Sequence, residues 1–188
     1  CPVINALSDE RHPCQALTDM LTIQETAGTL EGTHLVFVGD GNNVAKSLAV
    51  ASGLAGVKFT LAVPDGFQLS DEFLDDVRTR YPESDIQQTP YATEAVVTAD
   101  FVYTDVWASM GQEEESERRS KAFADYQVNS ELMEQASSSA KFMHDLPAKR
   151  GLEVTDEVID GPQSIIYQQA ENRMHLARGL FAWLLSQE

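Results

Sequence analysis

Positive charge is scarce in this chain. Thirteen lysines and arginines stand against 30 aspartates and glutamates in 188 residues, a formal charge of −17. A surface of that sign repels nucleic-acid backbones and anionic lipid, which excludes binding modes built on basic patches. Cysteine is nearly absent as well: Cys1 and Cys14 make neither a disulfide framework nor a metal-ligand spacing, so no metal is expected and a reducing cytoplasm is the default setting. No apolar run is long enough to cross a bilayer, and no basic stretch followed by a sustained apolar one opens the chain as a secretory signal would. The first residue is cysteine rather than methionine, from which a missing upstream segment is expected. What is present is ordinary globular apolar content, 43%, in a length that can bury one substantial core.

Short β-branched and aromatic runs occur at 35–38, 59–63, 101–104 and 141–143, with a weaker one near Ile86. Helical patterns occupy 12–27, 44–54, 70–81, 92–97, a segment from 112 to 123 extending toward 136, and 163–185. Strands alternating with helices predict an α/β fold, a parallel sheet of about five strands covered on both faces in Rossmann-like fashion. Right-handed crossovers then put the loops that follow each strand along one edge, where open α/β sheets bind ligands. The polar, small-residue segments 39–43, 64–66, 105–111 and 144–151 fall there.

Gly39-Asp40-Gly41-Asn42-Asn43 follows a strand and opens a helix. It lacks the third glycine of a dinucleotide fingerprint, where Val44 stands, and no P-loop lysine and hydroxyl follow, so no nucleotide cofactor is expected. Two asparagines at a helix N-terminus suit a carboxylate or zwitterion; alone, the segment also reads as a cap with an asparagine in the left-handed conformation. Asp105, Ser109 and Gly111 can bind an ammonium and neighbouring polar groups, or form an ordinary capping loop over Trp107. His12 and Gln15, three apart at a helix start, share one face and can converge on one small group. Cys14 reads as packing. Arg173 alone reads as a surface residue paired with Glu171 or Asp160, and the acidic run 113–115 as a first helical turn.

The order of these pieces carries more than each does alone. HPCQ at 12–15, GDGNN at 39–43, TDVWASMG at 104–111, HDLP at 144–147, EVTDEVIDGPQS at 153–164 and AENR at 170–173 resemble the second, ornithine-binding domain of ornithine carbamoyltransferase, in the aspartate/ornithine carbamoyltransferase superfamily. The resemblance covers essentially the whole chain. It implies an interdomain helix over 1–28 leading from a carbamoyl-phosphate domain, an ornithine-binding domain over 29–162, and a closing helix over 163–188. It implies an enzyme without cofactor that moves the carbamoyl group of carbamoyl phosphate to the δ-amine of L-ornithine, giving citrulline and phosphate, in a homotrimer or a multiple of trimers.

By that resemblance, His12, Pro13, Cys14, Gln15, Asp145, Leu146 and Arg173 bind carbamoyl phosphate. His12 and Arg173 reach its carbonyl oxygen, where the transition state builds charge, and Gln15 and the Leu146 carbonyl hold its NH₂. Asn43 and the Met110 backbone take ornithine's α-carboxylate, and Asp105 and Ser109 its α-amino group. Two departures stand out. The family's Ser-x-Arg-Thr-Arg phosphate loop is not in this sequence, so the chain alone is expected to be inactive. The family's His-Cys-Leu-Pro loop has Asp145 in place of cysteine, placing a carboxylate beside the reacting amine; with His12 and Arg173 it completes the expected catalytic set. Alternatives are a carbamoyltransferase for putrescine or an N-acylated ornithine, and a non-catalytic amino-acid-binding module, with a dinucleotide-dependent oxidoreductase a distant third.

Overall fold

A computed structural model describes residues 1–107 and 116–186. Its sheet holds five strands, all parallel: β1 His34–Val38, β2 Lys58–Ala62, β3 Ile86–Thr89, β4 Phe101–Thr104 and β5 Lys141–His144, ordered β3-β2-β1-β4-β5. The expected fold class is the observed one. β1 and β4 are buried on both faces, which is why they read as continuous apolar runs rather than alternating ones, while the edge strand β3 is buried only at Ile86.

The pleat of β1 divides the core in two. Leu35 and Phe37 point toward α1 (Pro13–Ala27), α2 (Asn43–Ala55) and α3 (Asp71–Arg80), joined by Ile23, Leu48, Leu61 and Tyr103. Val36 and Val38 point to the other side, where Val102, Phe123, Leu132 and Phe142 pack under α4 (Ala92–Ala95), α5 (Ser116–Ala122), α6 (Ser130–Gln135) and α7 (Asp156–Ile159). The last helix, α8 (Ile166–Leu185), lies against α1 and β5.

Three elements differ from the sequence pattern. The helix expected from 112 toward 136 is broken: α5 ends at Ala122, a 3₁₀ turn spans Ala124–Tyr126, and α6 starts anew after the Asn129 cap. Phe123, Tyr126 and Val128 are all buried, and at the spacing i, i+3 and i+5 they could not share one face of a straight helix. Residues 113–115, expected as a first turn, lie outside the described residues. The closing helix starts at Ile166 rather than 163, because Gly161 to Ile165 form a turn that pairs with β5: Phe142 N–H donates to Gln163 O (2.9 Å) and Ile165 N–H to Phe142 O (3.0 Å). Beyond Asn172, α8 is largely open, with Met174, Phe181, Trp183 and Leu185 all more than half exposed; its apolar positions enter the core only in its first two turns.

The loop after β1 is held by a close backbone approach. A Cβ on Gly41 would stand 2.7 Å from the Phe67 carbonyl oxygen, to which Gly41 N–H donates at 2.9 Å, so only glycine fits.

Candidate active site at the switch point of the sheet

β1 has β2 on one side and β4 on the other, so the chain leaves β1 and β4 in opposite directions and opens a crevice at their C-terminal ends. Asp40, Asn42 and Asn43 follow β1, Asp105 follows β4, and Asp145 and Leu146 follow β5. The start of α1 contributes His12 to Gln15, and α8 contributes Arg173. Ser109 and Met110 lie outside the described residues.

Asn42 is the cap of α2, with its Oδ1 accepting from Val44 and Ala45 N–H (3.0 Å each) and its backbone extended rather than left-handed. Its Nδ2 donates to Asp105 Oδ2 at 2.8 Å, which ties the two loops together. Asp105 Oδ1 accepts from Val106 N–H at 2.6 Å. The neighbouring Asn43 is half-buried, and its amide donates to the Ser8 carbonyl (2.9 Å). Residues 8–12 are fastened over the same helix end, since His12 N–H donates to Ser47 Oγ at 2.8 Å.

His12 precedes the first turn of α1 but makes no side-chain cap, against the capping role open to it in the sequence. Its ring is buried, and its Nδ1 has no hydrogen-bond partner. Burial first, then the Arg173 guanidinium, lower its pKa, while Asp105 acts in the opposite sense; the ring is neutral at pH 7. Pro13 opens α1 in the tolerated first position. The Cys14 thiol is half-buried and faces the Asn5 carbonyl at 3.5 Å, lining with Arg173 a mostly apolar groove of about 280 Å³ between residue 4 and α8.

Gln15 turns away from His12. Its Nε2 donates to Asp19 Oδ1 (2.8 Å), and its Oε1 accepts from the Arg173 guanidinium. The structure thus gives Arg173 a partner other than Glu171 or Asp160. Glu171 faces His175 at 3.5 Å, and Asp160 pairs with Arg150.

The loop after β5 is shaped by one imidazole. Leu146 N–H donates to His144 Nδ1 (2.9 Å), so the ring proton sits on Nε2 and points to the buried Glu153 Oε1 at 3.3 Å. Lys149 N–H donates to that same oxygen. Leu146 takes a φ of +60°, a costly conformation for a leucine that these contacts maintain. With Nδ1 already accepting, it offers no proton to Asp145 Oδ1 3.5 Å away, and this oxygen is buried without a partner. One ligand-type atom each of Asp105, His144 and Asp145 lies within 4.8 Å of the others, a spacing a metal could use, but both ring nitrogens of His144 are already committed. Burial, then the Asp105 and Asp19 carboxylates, then a hydrogen bond with Asp105, raise the Asp145 pKa well above the usual carboxylate range. Burial beside Asp105 thus favours the protonated form of Asp145.

Several residues here carried no signal in sequence. Asp40 is held by Arg119 of α5 at 2.5 Å, and burial raises its pKa despite that partner. Arg119 also donates to the Trp107 carbonyl (2.9 Å), closing the far side of the crevice. Asp19, Tyr103 and Gln169 form a buried polar group beneath Gln15. A polar stripe at positions 15, 19 and 22 of an otherwise apolar helix face was the available signal.

A doubly wound α/β domain with polar side chains gathered at the C-terminal edge of its sheet defines the class. The family model for the Asp/Orn binding domain of aspartate/ornithine carbamoyltransferase matches residues 31–184, and the one for its carbamoyl-P binding domain matches residues 1–25. The chain belongs to the aspartate/ornithine carbamoyltransferase family. Ornithine carbamoyltransferase of Methanosarcina mazei is 46% identical over 184 residues, 98% of this chain and 60% of that protein. The Methanobrevibacter smithii one is 49% identical over 95% of this chain and 60% of its own length. The solved ornithine carbamoyltransferase of Pyrococcus furiosus superposes with a TM-score of 0.89 at 46% identity, over 94% of this chain and 57% of that one. The chain thus spans about 60% of the length of these curated relatives.

Proposed function

We propose that this chain is the amine-binding part of an ornithine carbamoyltransferase, acting on L-ornithine and carbamoyl phosphate to give citrulline and phosphate. The observation that carries this is the convergence at one sheet edge of a buried, unpartnered imidazole near a guanidinium with the Asp105 and Asp145 carboxyl groups. His12 and Arg173 stabilise the carbonyl oxygen of the carbamoyl group as it gains charge. Gln15 holds Arg173 in place, and the carbamoyl NH₂ meets Gln15 and the Leu146 carbonyl, with Pro13 and Cys14 forming the helix start beneath. Asp105 takes the α-ammonium of ornithine, Asn43 its carboxylate, and Ser109 and Met110 complete that grip. Held this way, the distal amine is aimed at the carbonyl carbon, and orientation supplies much of the rate.

The same reading includes a joining role for residues 1–28, a trimeric or multiply trimeric enzyme, a cytoplasmic setting and a place in arginine biosynthesis or its reverse. Among the described residues no helix is long and apolar enough to cross a membrane.

Calorimetry tests the proposal on the chain itself. In this family reading the phosphate substrate and its domain complete the amine site, so ornithine alone is expected to give no saturable heat at micromolar concentration, and no citrulline forms. Saturable micromolar ornithine binding by the isolated chain would instead favour an amino-acid-binding module.

Asp145 makes a further prediction, for the chain joined to a carbamoyl-phosphate-binding domain. As the substrate ammonium enters, its charge drives the Asp145 proton to solvent, and the carboxylate so formed favours the ammonium, so the amine is freed only at higher pH. The acid limb of the kcat profile is expected to move down by about one pH unit in Asp145→Cys. Superimposable profiles would remove Asp145 from the amine chemistry.

A further inference from the structure

We propose that Asp19 is a positioning residue for this reaction, bracing Arg173 through Gln15 and the His144–Leu146 loop through Gln169. Asp19 is completely buried on α1, facing the core side that Tyr103 also lines.

 It accepts three hydrogen bonds: from Gln15 Nε2 (2.8 Å) and Gln169 Nε2 (2.7 Å) at Oδ1, and from the Tyr103 hydroxyl (3.2 Å) at Oδ2. Each glutamine passes the constraint on. The Gln15 Oε1 accepts from Arg173, and the Gln169 Oε1 accepts from His144 N–H at 2.9 Å. One carboxyl on α1 thereby joins α8, β4 and the loop after β5, the elements that carry the two proposed halves of the carbamoyl clamp.

Apolar packing would have been the simpler way to fill this position, since Ala16, Met20 and Ile23 on the same helix do so. A buried carboxyl instead fixes direction, because hydrogen bonds have a preferred geometry that apolar contacts lack. The groups that act on it are Tyr103 from β4, Arg173 from α8 and Asp145 after β5. Burial outweighs the three donors and raises its pKa to about 7. Between the ordinary carboxylate value and about 7, the folded chain holds a proton that the unfolded chain has released, so this group lowers stability as pH rises across that window.

The role rests on the carbamoyltransferase reading, but the bracing is testable without it. Amide exchange on the 188-residue chain is the first arm. In Asp19→Leu the His144 amide is expected to lose at least about tenfold of its protection, while Val36 and Leu61 in the sheet change little. Asp19→Asn keeps an oxygen for both glutamines and is expected to restore His144; Asp19→Ala, which leaves Gln169 in place, gives the same loss if Asp19→Leu does not fold. Unchanged His144 protection in these two variants, or an equal loss at all three amides, would overturn the bracing.

The second arm uses the chain joined to a carbamoyl-phosphate-binding domain. Asp19→Leu is expected to lower kcat at least about tenfold with the ornithine KM within threefold, and Asp19→Asn to recover most of that loss. A kcat within threefold of the parent in Asp19→Leu would overturn the positioning role. If the parent forms no citrulline, the functional reading fails, and the exchange arm still decides whether Asp19 braces the loop.

Discussion

Replacing Arg173 by alanine is expected to lower kcat for citrulline formation about 100- to 1,000-fold in the chain joined to a carbamoyl-phosphate-binding domain, the range for loss of one preorganised oxyanion donor. The argument runs through geometry rather than net charge. Arg173 is half-buried on α8, reaches Gln15 across the α1–α8 seam, and depresses the His12 pKa from nearby. Few cations serve a chain of charge −17, so the placement of this one carries weight. Arg173→Lys keeps the charge but not the planar fork that can bond Gln15 and a carbonyl oxygen together, and it is expected to recover only part of the rate. Removing the guanidinium also relieves His12 of a repulsive neighbour, so its pKa rises toward the ordinary value. Steady-state kinetics and an imidazole titration read the two effects separately. A kcat within threefold of the parent would take Arg173 out of the clamp.

Asp105→Asn is expected to raise the ornithine KM about 10- to 100-fold, the loss of a charge-assisted contact worth ~1.5–3 kcal/mol. The amide keeps the size of the carboxylate but only one acceptor oxygen, so of the bonds from Val106 N–H and Asn42 Nδ2 one is kept and the other is lost. A second effect follows at Asp145. The Asp105 charge is a main reason, after burial, that Asp145 holds its proton, so neutralising it brings the Asp145 pKa down. Isotope-edited infrared spectroscopy of the carboxyl band measures that shift directly. An unchanged ornithine KM would move the α-ammonium contact elsewhere.

The fold was legible because the physics that selects it is local. Leu35 to Val38 and Phe101 to Thr104 are apolar or β-branched on both sides of the pleat, and only a covered parallel strand tolerates that. The break after Ala122 was not legible, since it depends on Phe123 meeting Phe67 and Trp107 and on the Tyr126 hydroxyl donating to the Pro90 carbonyl, all from distant parts of the chain. Much the same division applies to the site. Asn43, Asp105, Asp145, His12 and Arg173 are marked by their motifs, and the topology brings them to one edge. The contacts between them were invisible: that Gln15 serves Arg173 and Asp19, or that Asn42 rather than Asn43 secures Asp105, is decided by side-chain directions set in three dimensions. Asp19 and Gln169 look like surface residues in sequence because polar side chains on helices usually are. The motif marks Asp145 as a carboxyl group beside the amine, but not that burial against Asp105 favours its protonated form.

The most direct measurement of the proposed activity is kcat/KM for carbamoyl transfer to three amines by the chain joined to a carbamoyl-phosphate-binding domain. Ornithine carries both charges that Asn43 and Asp105 are proposed to read, putrescine lacks the carboxylate, and N-acetylornithine lacks the α-ammonium charge. Ornithine is expected to exceed each of the others at least about 100-fold, since a site built around polar groups rejects a ligand that leaves them unpaired. Equal or better transfer to putrescine or N-acetylornithine would contradict the assignment of this crevice to ornithine.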